Sequence, residues 1–127
     1  LALADAGLAP EAIAYVNAHG TATEQGDIAE SHATHAVFGE RVAISSLKSY
    51  MGHTLGACGA LEAWMSIEMM RNGWFAPTIN LEQVDPRCGA LDYITGAGRD
   101  IDTGVVMSNN FAFGGINTSL IFARRPD

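Results

Sequence analysis

Lys48-Ser-Tyr-Met-Gly-His53, followed by the small-residue run Thr54-Leu-Gly-Ala-Cys-Gly-Ala60, decides how this chain is read. The apolar run from Val42 to Ser46 before it has the composition of a buried strand, and the stretch from Leu55 to Arg71 after it predicts a long apolar helix. Gly52 and His53 therefore fall at a strand-to-helix junction, and in open α/β sheets ligands bind at the carboxyl ends of strands. A histidine just before a helix N-terminus feels the positive end of the macrodipole, which disfavours the imidazolium and leaves a neutral ring N–H as a donor. A histidine that merely satisfies a helix end fits the same position, and this stretch alone leaves both readings open.

Outward from the junction, the small residues Gly56, Ala57, Gly59, Ala60 and Ala63 let the helix approach its neighbours closely, as a central element must. Cys58 among them could pair with His53 as a nucleophile, but a thiol in such a row is more often an inert core group. Upstream, Ile13 to Asn17 reads as a short strand that runs into Ala18-His-Gly-Thr-Ala-Thr23 and delivers an imidazole and two hydroxyls to one rim. Gly26-Asp27 opens a predicted helix to Phe38, closed by Gly39, and Asp27 with Glu30 has the spacing of a capping box. His32 and His35 stand at i, i+3 on that helix, a spacing open to two metal ligands, yet no ligand set completes around them; an exposed helix face is the expectation.

Downstream, residues 72–90 read as a long ordered loop, Leu91 to Thr95 as a short strand, and Gly104 to Ser108 and Thr118 to Ala123 as the clearest strands. Between the last two lies Asn109-Asn-Phe-Ala-Phe-Gly-Gly-Ile-Asn117. Paired glycines beside two phenylalanines suit a gate or an oxyanion nest as well as a plain hairpin.

The whole chain sets bounds. With 127 residues, 48% apolar and 17% charged, it is expected to form one packed domain over residues 1–127. A net charge of −7, with seven Lys and Arg against fourteen Asp and Glu, argues against a nucleic-acid partner or an anionic membrane surface. Two cysteines, Cys58 and Cys88, with no secretory pattern, make no disulfide framework, so the cytoplasm is the expected compartment. Leu1 to Gly7 reads as the last turns of a helix with a glycine C-cap and no start, so the chain is expected to be the C-terminal piece of something longer.

Taken together, the loops carrying His19, Lys48 with His53, and the Phe/Gly-Gly turn resemble the C-terminal half of β-ketoacyl-acyl-carrier-protein synthases, the condensing enzymes with a thiolase-like fold. His19-Gly-Thr-Ala-Thr23 looks like the family's His-Gly-Thr-x-Thr loop, and Lys48 to His53 like its Lys-(x)4-His segment. Phe111-Ala-Phe-Gly-Gly-Ile-Asn117 looks like its Phe-Gly-Phe-Gly-Gly-Thr-Asn turn, and Ala76 to Asn80 matches as well. The resemblance implies an α/β fold with a mixed β-sheet and packed helices.

It also implies decarboxylative condensation of an acyl thioester with malonyl-carrier protein, in fatty acid or polyketide elongation. His19 and His53 would be the catalytic histidines and Lys48 the active-site lysine, with Glu30 as its carboxylate partner. Thr21 and Thr23 would touch the phosphopantetheine arm, Phe113 would gate the pocket, and Phe111, Gly114 and Gly115 would join the substrate-binding set. A cation is implied near Asn17, Glu62, Ser108 and Asn109. No cofactor of its own is expected, because phosphopantetheine arrives on the acyl carrier protein; that carrier is the implied partner, and the full-length enzyme is an implied homodimer. Ala112 and Ile116 depart from the family's Gly and Thr. Neither cysteine stands in the family's nucleophile motif, so the acylated cysteine is expected in a missing N-terminal half. The alternatives are a non-catalytic chain-length-factor subunit and a stand-alone acyl-carrier-binding module.

Overall fold

The structure is a computed structural model and describes residues 1–125. In chain order its elements are α1 (Ala2–Ala6), β1 (Tyr15–Asn17), α2 (Glu24–Phe38), β2 (Ala43–Ser45), α3 (Lys48–Met51), α4 (Cys58–Asn72), β3 (Trp74–Phe75), β4 (Asp92–Tyr93), β5 (Arg99–Asp100), β6 (Val105–Phe111) and β7 (Asn117–Ala123). Five strands form one mixed sheet in the order β4-β2-β1-β6-β7. The pairs β4/β2, β2/β1 and β1/β6 are parallel and β6/β7 is antiparallel, so the expected mixed sheet is found.

Successive side chains of a strand point to opposite faces, and the central strands carry apolar groups on both. Tyr15, Ala43 and Val106 join Leu47, Met69, Met70, Phe75 and Ile94 in one core cluster. Val16, Ile44 and Met107 join Ile13, Ala18 and Val42 in a second. Two-sided burial is the signature of parallel strands covered by helices, and it explains why these runs are continuous in apolar residues rather than alternating. Within the first cluster the Tyr15 and Phe75 rings lie 4.5 Å apart. The Tyr15 hydroxyl sits 2.8 Å from Ser45 Oγ, which donates onward to the Ala76 carbonyl, so the buried phenol is satisfied. Edge strand β7 is largely exposed, with Leu120 at 45%.

Several element bounds differ from the expectations, each for a local reason. The first predicted strand shrinks to β1 because a 3₁₀ turn at Pro10–Ala12 runs into Ile13. The predicted long helix begins at Cys58 instead of Leu55, because residues 55–57 make a tighter 3₁₀ turn and Leu55 takes a positive φ of 52°. Residues 48–51, read as part of a loop, close a short helix that ends at Gly52 with φ 72°. Trp74–Phe75 and Arg99–Asp100 pair as a two-stranded ribbon where a loop was expected. Gly98 is required there: a side chain would meet Trp74 and the Phe75 carbonyl at under 3 Å. The Gly7 C-cap holds as read, left-handed at φ 65° with its N–H on the carbonyls of Leu3 and Ala4.

Candidate active site

Each of the three marked loops leaves the sheet at the carboxyl end of a strand: His19 follows β1, Lys48 follows β2, and Asn109 to Phe111 end β6. Because these strands are parallel neighbours, their ends converge. The His19 and His53 rings meet edge to face with centroids 5.3 Å apart. His19 also stands edge-on to Phe111 at 5.8 Å.

The two imidazoles are held differently. His53 is exposed, and its Nδ1 accepts the Leu55 N–H at 3.1 Å. A ring nitrogen that accepts carries no proton, so the proton of this imidazole is on Nε2, a donor turned away from its own backbone. His19 is half-buried and its affinity for a proton is lowered, first by desolvation, then by the neighbouring Lys48 and His53 charges. Its Nδ1 is buried without a partner.

Lys48 requires a correction. Its ammonium is buried and lies 2.6 Å from Glu62, a wholly buried carboxylate on α4, so Glu62 and not Glu30 is its partner. A buried charge must be paired and hydrogen-bonded, and Glu62 is thoroughly engaged. Oε1 also accepts from Cys58 Sγ at 3.3 Å, and Oε2 accepts from Asn110 Nδ2 at 3.1 Å.

Glu30 does something else. Its two oxygens accept the N–H groups of His19 and Gly20, each at 2.8 Å. Burial raises its proton affinity, and those two backbone donors oppose the rise. Burial also raises the proton affinity of Asp27, one turn earlier, and its Oδ1 is buried without a partner. The capping-box reading of Asp27 and Glu30 is therefore also corrected: α2 starts at Glu24, and Glu30 clamps the loop that carries His19. Gly20 is needed in that loop, because at φ 40° a Cβ there would lie 2.6 Å from Ser46.

The remaining expected residues divide. The Thr21 and Thr23 hydroxyls lie 2.9 Å apart on the rim of a cavity of about 680 Å³ that is also bounded by Ser46, Lys48, His53 and Thr78. Residues 112–116 form a tight hairpin turn between β6 and β7, with Gly114 and Gly115 at φ 83° and 78° and the Gly115 N–H on the Ala112 carbonyl. Phe113 is 96% exposed and touches none of the histidines, whereas Phe111 reaches His19. Asn17, Glu62, Ser108 and Asn109 are all buried. Their oxygens are the kind a hard cation takes, and Asn109 Oδ1 is buried without a partner.

His32 and His35 act as ties, their ring nitrogens hydrogen-bonding the carbonyls of Arg87 and Ala90 on the long loop. Among the described residues no three of His, Cys, Asp and Glu cluster as a metal site. Two functional relationships escaped the sequence: Glu62 as the lysine's partner, and Asn110 as the donor to its second oxygen. The i, i+4 spacing of Cys58 and Glu62 put both on one face of α4, but nothing in the sequence aimed that face at Lys48. Among the described residues no helix is long and apolar enough to cross a membrane.

Comparison with known proteins gives the family. Residues 1–82 match the family profile described as beta-ketoacyl synthase, C-terminal domain. The chain is 46% identical over 125 residues to 3-oxoacyl-[acyl-carrier-protein] synthase 2 of Coxiella burnetii, covering 96% of this chain and 30% of the relative. The corresponding synthase of Synechocystis sp. is 43% identical over 126 residues, again across 30% of its length. Among solved structures, a beta-ketoacyl synthase from Burkholderia phymatum superimposes with a TM-score of 0.97 at 70% identity, over 99% of this chain and 31% of that one. The chain thus spans about a third of the proteins it matches, and it belongs to the β-ketoacyl synthase family, with the thiolase-like fold of that family's C-terminal domain.

Proposed function

We propose that residues 1–127 supply the decarboxylating half of a 3-oxoacyl-acyl-carrier-protein synthase. The carrying observation is the 5.3 Å approach of His19 and His53 beside the Lys48–Glu62 ion pair. When malonyl-carrier protein loses carbon dioxide, the C–C bond electrons move onto the thioester oxygen as an enolate, which then attacks an acyl thioester and expels a thiolate. Two imidazole N–H groups aimed at one point can stabilise that oxygen where water is excluded. A single positioned donor of this kind contributes roughly 3 to 4 kcal/mol. The lowered proton affinity of His19 favours the neutral donor this step needs. Lys48 and Glu62 act as a fixed buried dipole behind the rings, and Glu30 holds the His19 loop in place.

The acyl group is carried on a cysteine outside these residues. Cys58 is buried with its thiol on Glu62, and Cys88 lines the cavity. Thr21 and Thr23 at the cavity rim receive a phosphopantetheine arm, and Phe113 at the hairpin tip, together with Phe111, Gly114 and Gly115, closes over it. A structural cation held by Asn17, Glu62, Ser108 and Asn109 would steady the Glu62 charge, and no chemical step runs through it. The partner is an acyl carrier protein; a structural relative at 34% identity is described as a type II polyketide acyl-carrier protein in complex with its ketosynthase. A ketosynthase/chain length factor is another at 36% identity. Against the factor reading stands the full His19, His53 and Lys48 set in this chain.

The test separates the half-reactions in the full-length enzyme. His53→Ala is expected to slow carbon dioxide release from malonyl-carrier protein by at least about a hundredfold, while acyl transfer from a radiolabelled acyl-carrier protein survives. Unchanged carbon dioxide release would reduce His53 to a helix-end residue.

A further inference from the structure

β1 and β2 run side by side as far as Asn17 and Ser45, and among the described residues the last backbone bond between them takes the Ala18 N–H to the Ser45 carbonyl at 2.9 Å. Beyond that rung the two chains part, and the cavity opens at their carboxyl ends. Ser46, buried at the parting point, uses every polar group it has. Its N–H goes to Thr78 Oγ1 at 2.9 Å, its carbonyl takes the Ser49 hydroxyl at 2.8 Å, and its own hydroxyl donates to the Gly20 carbonyl at 2.8 Å. A side chain thus stands in for the next rung of the ladder, and the residue that supplies it is itself tied down on both sides.

That bond meets the His19 loop where Glu30 does not reach. Glu30 takes the N–H groups of His19 and Gly20 and so fixes the chain up to Gly20. How the chain leaves Gly20, at φ 40°, depends on which way the Gly20 carbonyl turns, and glycine has the most freedom to turn it. The segment that follows is strained: Ala22, between Thr21 and Thr23, takes φ 58°, a left-handed conformation that a residue with a Cβ keeps only where its surroundings hold it. The far end of this segment is held at the start of α2, where the Asp27 N–H donates to the Thr23 carbonyl at 2.9 Å. The near end is held by Ser46.

We propose that Ser46 is a positioning residue for the cavity rim that carries Thr21 and Thr23, anchoring the chain at the Gly20 carbonyl so that the strained turn through Ala22 keeps both threonines along the cavity. Glu30 and Ser46 then divide the loop between them: Glu30 sets His19, and Ser46 sets the two threonines. The inference rests on the arm-binding reading of Thr21 and Thr23 for its kinetic consequence but not for the anchoring.

The experiment uses the full-length enzyme and Ser46→Ala, which keeps the Cβ against Gly20 and removes only the hydroxyl. Hydrogen exchange resolved to single amides should speed up about three- to tenfold at Thr21 and Ala22, the scale of one lost hydrogen bond, and stay unchanged at His19 and Gly20. In carbon dioxide release, KM for malonyl-carrier protein should rise by a similar factor while kcat falls by less than about twofold, the pattern of lost uniform binding. The KM of malonyl ethyl thioester, which has no phosphopantetheine arm, should not move. Adding Ala22→Gly, which relieves the left-handed strain, should recover part of the lost KM. Unchanged exchange at Thr21 and Ala22 overturns the proposal, as does a fall in kcat at constant KM, which would make Ser46 a support for His19. An equal rise in exchange across β2 and α3 also overturns it, because Ser46 would then be a packing residue. Faster exchange at the rim with KM for malonyl-carrier protein unchanged would instead sink the arm-binding reading and leave the anchor standing.

Discussion

Glu30 and Glu62 are both buried carboxylates on helices that follow the sheet's central strands, yet they are kept inside by different means. Glu30 is satisfied by backbone: it takes the N–H groups of His19 and Gly20, and among the described residues no cation pairs with it. Glu62 is satisfied by side chains: Lys48, Cys58 and Asn110 all converge on it. A carboxylate held by backbone donors fixes the course of a loop, whereas one held by an ammonium fixes a charge. The region around α2 therefore sets where His19 is, and the region around α4 sets the field in which it works.

This contrast is broken most severely at Glu62. Glu62→Ala leaves the Lys48 ammonium, 4% exposed, without its counter-charge. Orphaning one partner of a buried ion pair costs about 3–5 kcal/mol, so a loss of that size is expected in urea titration of the full-length enzyme. A loss under about 1 kcal/mol would mean that Lys48 finds another partner or reaches solvent.

Glu30→Ala should cost less, about 1–3 kcal/mol, because it orphans two neutral backbone donors instead of a charge. Its functional signature should be selective: carbon dioxide release declines with the His19 loop while the protein remains folded. A stability loss equal to that of Glu62→Ala would erase the distinction between the two regions.

The division was half legible in the sequence. Gly7, the two β6–β7 strand runs and the three loops could be read from local chemistry: a left-handed cap, continuous apolar residues, and His or Gly-Gly at strand ends. Lys48 and Glu62 could not be joined, because fourteen residues and a 3₁₀ turn separate them, and only the packing of α4 against β6 turns that helix face toward α3. The family resemblance alone names Glu30 as the lysine's partner, while its capping-box spacing with Asp27 gives it a helix-start role. The ribbon of β3 and β5 was invisible for another reason: two-residue strands carry no period to read.

The smallest expected effect concerns pH. The folded-state proton affinity of His19 lies below that of an unfolded histidine, mainly by desolvation, then by Lys48 and His53. Its contribution to stability is therefore complete above the unfolded value near pH 6.5 and is lost as pH falls through the lower folded value. If the proposed decarboxylation uses the neutral His19 ring, carbon dioxide release should hold level down through about pH 6.5 and decline only below it. An acid limb centred above that value would assign the limiting proton to another group.

The most direct test of the division between the two carboxylates is a pair of double-mutant cycles on stability in the full-length enzyme. Lys48→Met is combined with Glu62→Gln in one cycle and with Glu30→Gln in the other. A direct ion pair predicts a coupling of at least about 1 kcal/mol for Lys48 with Glu62, and residues without contact add within about 0.5 kcal/mol, the value expected for Lys48 with Glu30. The reverse order, with Lys48 coupled to Glu30 and indifferent to Glu62, would contradict the account.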